Sequence, residues 1–226
     1  MCYSVESSLR TSFMSFVAIV ILISSGIKKF QFLGAVLIGW CAMQFTEALL
    51  WMENPKKGCT EINKWLTLIL IPIVLIMQPL GATWGSLFFD SWEKNGDFIL
   101  KYTAFVTIAL LFARHVVAPL TEKYKTCTTV TPSGHLNWFT YELNFKNGIS
   151  WSYVLFTFIW AAIIGYPLFK FWPGQRLWPF YIIPLIGIFA GFMTDSPGSI
   201  WCYVTSYGSL SAVILLIMHK LGYDVI

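Results

Sequence analysis

An all-α membrane domain, a single bundle of seven transmembrane helices spanning residues 1–226, is the fold class this chain predicts. Two observations carry that expectation. Only 12% of the residues are charged and 57% are hydrophobic, against about 25% charged in an ordinary soluble domain. A soluble fold of this length could not cover such a core with so few charges. The apolar residues also come in blocks of about 20, the length that crosses about 30 Å of hydrocarbon. The expected location is therefore an integral, multi-pass position in the membrane, with the lipid bilayer as the first partner.

The first span is expected over 5–27, with Ser4 as its cap and serines at 4, 8, 12 and 15 on one helical face. Lys28 and Lys29 are expected to end it. No basic segment precedes this block, so the first helix itself is expected to act as the insertion signal. The second span covers 31–52 and is closed by Glu53-Asn54-Pro55. The third covers 64–86 and contains Gln78-Pro79, which predicts a kink because proline breaks the hydrogen-bond ladder. The fourth covers 99–119. One long connection, 120–149, separates it from the fifth span at 151–172. The sixth covers 177–194 and the seventh 198–221, joined by the turn Asp195-Ser196-Pro197-Gly198. No internal repeat argues for inverted halves.

Tryptophan favours the two membrane interfaces. Of eleven, Trp51, Trp65, Trp138, Trp151 and Trp201 fall on the N-terminal side of this arrangement, and Trp84, Trp92, Trp172 and Trp178 on the other. Only Trp40 and Trp160 lie mid-span. Lysine and arginine divide eight to seven between the two sides, so an excess of positive charge chooses no orientation. The net charge of +4 is spread over many loops and makes no case for nucleic acid. Cys59 and Cys127 fall in two loops on the same side. They form a disulfide if that side is extracytoplasmic and are free thiols if it is cytosolic.

The stretch Gln31–Trp51 holds the chief candidate for chemistry. Glu47 sits about a turn from its end, and an ionisable group there is costly unless it faces protein or water and has a partner. Trp40, Gln44 and Trp51 share its face. Arg114 and His115 lie at the same depth of the fourth span, and a Glu47–Arg114 ion pair is the most economical arrangement. It would serve equally as a staple between helices. His135, in the long connection beside Trp138, is expected either as a solvated loop residue or as part of a segment folded over the cluster. Ser199, Cys202, Ser206 and Ser209 share a face of the last span, through close packing or as a polar wall. Cys2 would lie at the same mouth. Zinc held by Cys2, Cys202, His135 and Glu47 is chemically allowable, but no compact ligand spacing supports it, so neither metal nor cofactor is expected.

Several patterns are missing. The last span has no lysine at depth for a retinal Schiff base, and a three-histidine zinc hydrolase would need a third histidine on this side. There is no G-x-S-x-G elbow, H-E-x-x-H motif or phosphate-cradling glycine loop.

Short pieces in order along the chain resemble a family of small polytopic membrane proteins of bacteria and large DNA viruses. They are Met1-Cys2-Tyr3-Ser4 with Ser8, Gln44-Phe45-Thr46-Glu47, Gly134-His135-Leu136-Asn137-Trp138 and Ser199-Ile200-Trp201-Cys202. The resemblance departs at Gly134, which adjoins His135 directly. It implies an architecture and a site made of Cys2, Ser4, Glu47, His135, Trp138, Trp201 and Cys202, and it implies no reaction.

Three functions remain in view. In a channel, transporter or receptor-like protein the Glu47 cluster binds or passes a small solute, an ion or a proton, as intramembrane carboxylates commonly do. In a structural membrane protein, such as one of a virus particle, the cluster only fastens helices. In an interfacial lipid-modifying enzyme, a hydrolase or transferase, Glu47 or His135 would be the base and Ser4, Ser199 or Cys202 the nucleophile. The first is favoured. A homo-oligomer is compatible with all three.

Overall fold

The computed structural model describes residues 4–89, 126–138, 151–171 and 197–225, with helical positions also at Tyr102, Phe105, Val106, Ile108, Ala109 and Phe112. The described chain is mostly helical. Three of its helices are long and apolar enough to cross a membrane, Val5–Ile23, Lys28–Met52 and Glu61–Gly85. They mark the chain as a membrane protein.

Helix α1 (Val5–Ile23) begins at Ser4, whose hydroxyl accepts the Ser7 N–H at 3.2 Å. Its inner face is polar, with Ser8, Thr11, Ser12 and Ser15 buried, and its outer face carries exposed Phe13, Phe16 and Val20. That polarity is the reverse of a helix on a water-soluble protein, and it follows from an apolar solvent outside. The helix stops at Ile23, four residues earlier than expected, and the chain turns through Gly26 at φ 72°. Lys28 and Lys29 therefore do not end the first helix; they open α2 (Lys28–Met52).

Helix α2 is the centre of the bundle, packed against α1, against the third rod and against the last helix. The third rod runs from α3 (Glu61–Trp65) through a π-helical turn (Leu66–Leu70) into α4 (Ile71–Phe89). Small residues let α2 and α4 approach closely. A Cβ on Gly81 would sit 2.6 Å from the Ala35 carbonyl oxygen, and one on Gly39 would sit 2.7 Å from the Gln78 nitrogen. Ala35/Gly39 and Gly81/Gly85 are each four residues apart, the small-xxx-small spacing of close membrane helix pairs.

Pro79 lies inside α4 and cannot donate to the Leu75 carbonyl. Trp160 of α5 (Trp151–Phe171) supplies a replacement, its indole N–H reaching the Leu75 oxygen at 3.4 Å. A mid-span tryptophan thus satisfies a backbone group freed by a mid-span proline. Helix α6 (Pro197–Lys220) packs on α1 and α2. Ser15 bonds Ser209 at 3.3 Å, and the His219 ring lies 5.8 Å from Phe30. Together these contacts run α6 parallel to α1.

The connection expected at 120–149 is not purely irregular. It contains an antiparallel pair, β1 (Thr129–Val130) and β2 (Leu136–Asn137), with Thr129 opposite Asn137 and Val130 opposite Leu136. The turn is closed by the Gly134 N–H on the Thr131 carbonyl at 2.9 Å and by the Thr131 N–H on the His135 carbonyl at 2.8 Å. Pro132 occupies a position that favours φ near −65°, and Gly134 takes φ 81°, which a side chain would resist. The segments 99–119 and 177–194 expected as the fourth and sixth spans lie largely or wholly outside the described residues.

Candidate functional site

The site is built at one end of the bundle. Thr11 bonds Gln44 and Ser12 bonds the Cys41 carbonyl, so α1 and α2 run antiparallel. Glu47, near the end of α2, is thereby level with Ser8 in the second turn of α1. The parallel course of α6 brings Ser199 and Cys202 to the same end.

Glu47 is wholly buried, and the Trp138 indole N–H donates to its Oε1 at 3.0 Å. Trp138 follows β2. Side chains alternate along an extended chain, so Leu136 and Trp138 point the same way, into the bundle, and both are buried. One turn deeper, the Thr11 hydroxyl meets Gln44 Oε1 at 2.8 Å, and the Gln44 side chain is also fully buried.

Three fasteners hold the hairpin over this cluster. Cys59 and Cys127 are disulfide-bonded, with Cα atoms 5.7 Å apart. The Asn63 side chain grips the backbone of Thr128 from both sides, donating to its carbonyl at 3.0 Å and accepting its N–H at 2.9 Å. Thr67, four residues on and inside the π turn, meets the Thr128 hydroxyl at 2.8 Å. The Trp138–Glu47 bond is the third. Asn63, Thr67 and Thr128 were not among the residues expected from sequence; an i, i+4 polar pair near a helix end is their only signal.

His135 is buried at the tip of the hairpin, where Thr131 bonds its backbone N–H at 3.2 Å. Burial, and then the positive charge of the chain's N-terminus, lowers its pKa from the ordinary 6.5, so the ring is neutral at pH 7. Ser199 and Cys202 are both buried in α6. Ser4 departs from the expected cluster: it is exposed and serves as the α1 cap. Trp201 is helical, and its side chain lies outside the described residues, as do Cys2, Arg114 and His115. Arg10 and Glu6 form an exposed ion pair on α1, and among the described residues no group of three or more metal-binding side chains assembles.

Several buried polar atoms have no hydrogen-bond partner among the described residues: the hydroxyls of Ser8 and Ser199, the Trp40 indole N–H and both ends of the Gln78 amide. Such groups are rare in native interiors. The fold and site define a helical membrane protein with a polar interior closed at one end by a tethered hairpin. Comparison with protein-family models, with curated proteins and with solved structures finds no match for the chain.

Proposed function

We propose that the chain is a multi-pass membrane protein, crossing seven times, that binds or relays a small polar solute, an ion or a proton at the Glu47 cluster. The observation that carries this reading is the wholly buried carboxylate of Glu47 beneath the indole of Trp138. Removing a carboxylate from water is expensive, and in membrane proteins such groups mark ion and proton paths. The hydroxyls of Ser8 and Ser199 at the same end, without partners among the described residues, add capacity for a guest.

Seven crossings are supported by where the chain re-enters. Helix α4 runs away from the hairpin end, since Gly85 packs against Phe32 near the start of α2. The chain is back at the hairpin end by Cys127, which is disulfide-bonded to Cys59, with residues 90–125 lying between α4 and that cysteine. Within them Phe105, Val106 and Phe112 are helical and exposed, as lipid-facing side chains are. Helices α5 and α6 follow, and α6 again starts at the hairpin end.

The test is proton flux into lipid vesicles carrying the purified protein and an internal pH dye. Flux above empty vesicles, lost in Glu47→Gln, is the expected result. A Glu47→Gln protein that conducts as the parent does would remove the reading. The three-point tethering of the hairpin favours a second reading, a structural fastener. Absent flux in the parent together with a large loss of thermal stability in Glu47→Gln would select it.

A further inference from the structure

The Glu47 cluster is not the deepest polar feature. Gln78 of α4 is 1% exposed, and neither its amide oxygen nor its amide nitrogen has a partner among the described residues. It lies against Gly39 of α2: a Cβ added there would stand 2.8 Å from Gln78 Cγ. Trp40, the next residue, is 4% exposed and its indole N–H is likewise without a partner among the described residues. Gly39 is eight residues from Glu47, roughly 12 Å along a helix and close to mid-bilayer.

An unsatisfied amide in such surroundings costs about 1–3 kcal/mol on protein scales, and here an amide and an indole at about one depth each lack a partner among the described residues. The amide offers an acceptor and two donors, and the indole one donor. Water, with two donors and two acceptor sites, can serve both, and polar sites in protein interiors hold it. Above this level Trp40 and Glu47 lie two turns apart on one face of α2, and Gln44 lies between them in depth.

We propose that Gln78 and Trp40 form a buried water site at mid-depth, the inner end of a hydrated column that rises past Gln44 to Glu47. The column makes the interior a half-path that ends at Glu47, beneath the hairpin. It extends the proposed function by naming what fills the interior, and it stands separately, because Gln78 and Trp40 lack partners among the described residues whether or not the protein conducts.

Radiolytic hydroxyl-radical footprinting in lipid nanodiscs tests it, because the radicals form from bound water itself. Trp40 and Trp160 are matched probes: both are mid-span and buried, but the Trp160 N–H is bonded to the Leu75 carbonyl. Trp40 is expected to oxidise several-fold faster than Trp160. Equal rates in the unmutated protein overturn the water site without any variant having to fold, and leave the flux test of Glu47 unaffected. Gln78→Leu, in protein that retains its thermal transition, is expected to bring the Trp40 rate down toward that of Trp160. An unchanged Trp40 rate in that variant overturns the assignment of Gln78 as the water's partner.

Discussion

The Trp138 indole donates to the Glu47 carboxylate at 3.0 Å across 91 residues of chain, and both side chains are buried. Removing one partner of a buried hydrogen bond costs about 1–3 kcal/mol. Trp138→Phe keeps an aromatic ring and removes the donor, so it is expected to destabilise the protein by that amount and to lower the midpoint of thermal unfolding. Glu47→Gln in the Trp138→Phe background should cost less than it does alone. Additive losses in the double-mutant cycle would show that the two side chains do not interact.

Gly81 and Gly165 give a matched pair of substitutions. A methyl group on Gly81 would meet the Ala35 carbonyl oxygen at 2.6 Å, and backbone cannot step aside without separating α2 from α4. Gly81→Ala is expected to cost about 1–3 kcal/mol, as overpacking does. Gly165→Ala meets nothing within 4 Å among the described residues and should be tolerated. Thermal unfolding of both variants in one detergent compares them directly, and equal midpoints would argue against the close α2–α4 crossing.

Glu47 was legible in the sequence because a lone carboxylate in an apolar block is costly wherever it lands, and that cost singles it out before any contact is known. Its indole partner was less so. A hydrogen bond from Trp138 depends on a hairpin turning back over the bundle, and the letters of 120–149 leave open both a solvated loop and a segment folded over the cluster. The turn signal was present in Thr131-Pro132-Ser133-Gly134, with proline and glycine where such a turn needs them, but it flanks strands of two residues each, too short for any periodicity. The helix boundaries were misplaced where charge outweighed backbone geometry: Lys28 and Lys29 read as a terminus, whereas the turn is made by Gly26. The small-residue seam of Ala35, Gly39, Gly81 and Gly85 is a spacing visible in the letters, and only the partner helix gives it meaning.

The Cys59–Cys127 disulfide closes a loop with a sequence separation of 68. Chain entropy puts its stabilisation at roughly 4 kcal/mol. Disulfides persist in oxidising compartments, so the hairpin end is expected to face away from the cytosol. Intact cells treated with a membrane-impermeant reductant and then an impermeant thiol label should label both cysteines. Labelling without reductant would show free thiols at that end, and labelling only after the cells are opened would reverse the orientation. Cys59 is exposed, so it should react first.

His135 ties stability to pH. Burial, and then the N-terminal charge, holds its folded pKa below the ordinary 6.5, so the unfolded chain binds the proton more readily. Stability from the neutral ring is therefore complete above about pH 6.5 and is lost as the pH falls toward the folded pKa. Thermal midpoints should decline from pH 7 to pH 5, and His135→Asn should flatten that decline while lowering the pH 7 midpoint. An unchanged slope in the variant would assign the acid sensitivity to another group. The direction also bears on the site: protonating His135 would place a cation in the hairpin that carries Trp138, loosening the cover over Glu47 at low pH. Trp138 fluorescence should shift to the red over the same interval, measured in a protein whose other tryptophans outside the cluster are replaced by phenylalanine.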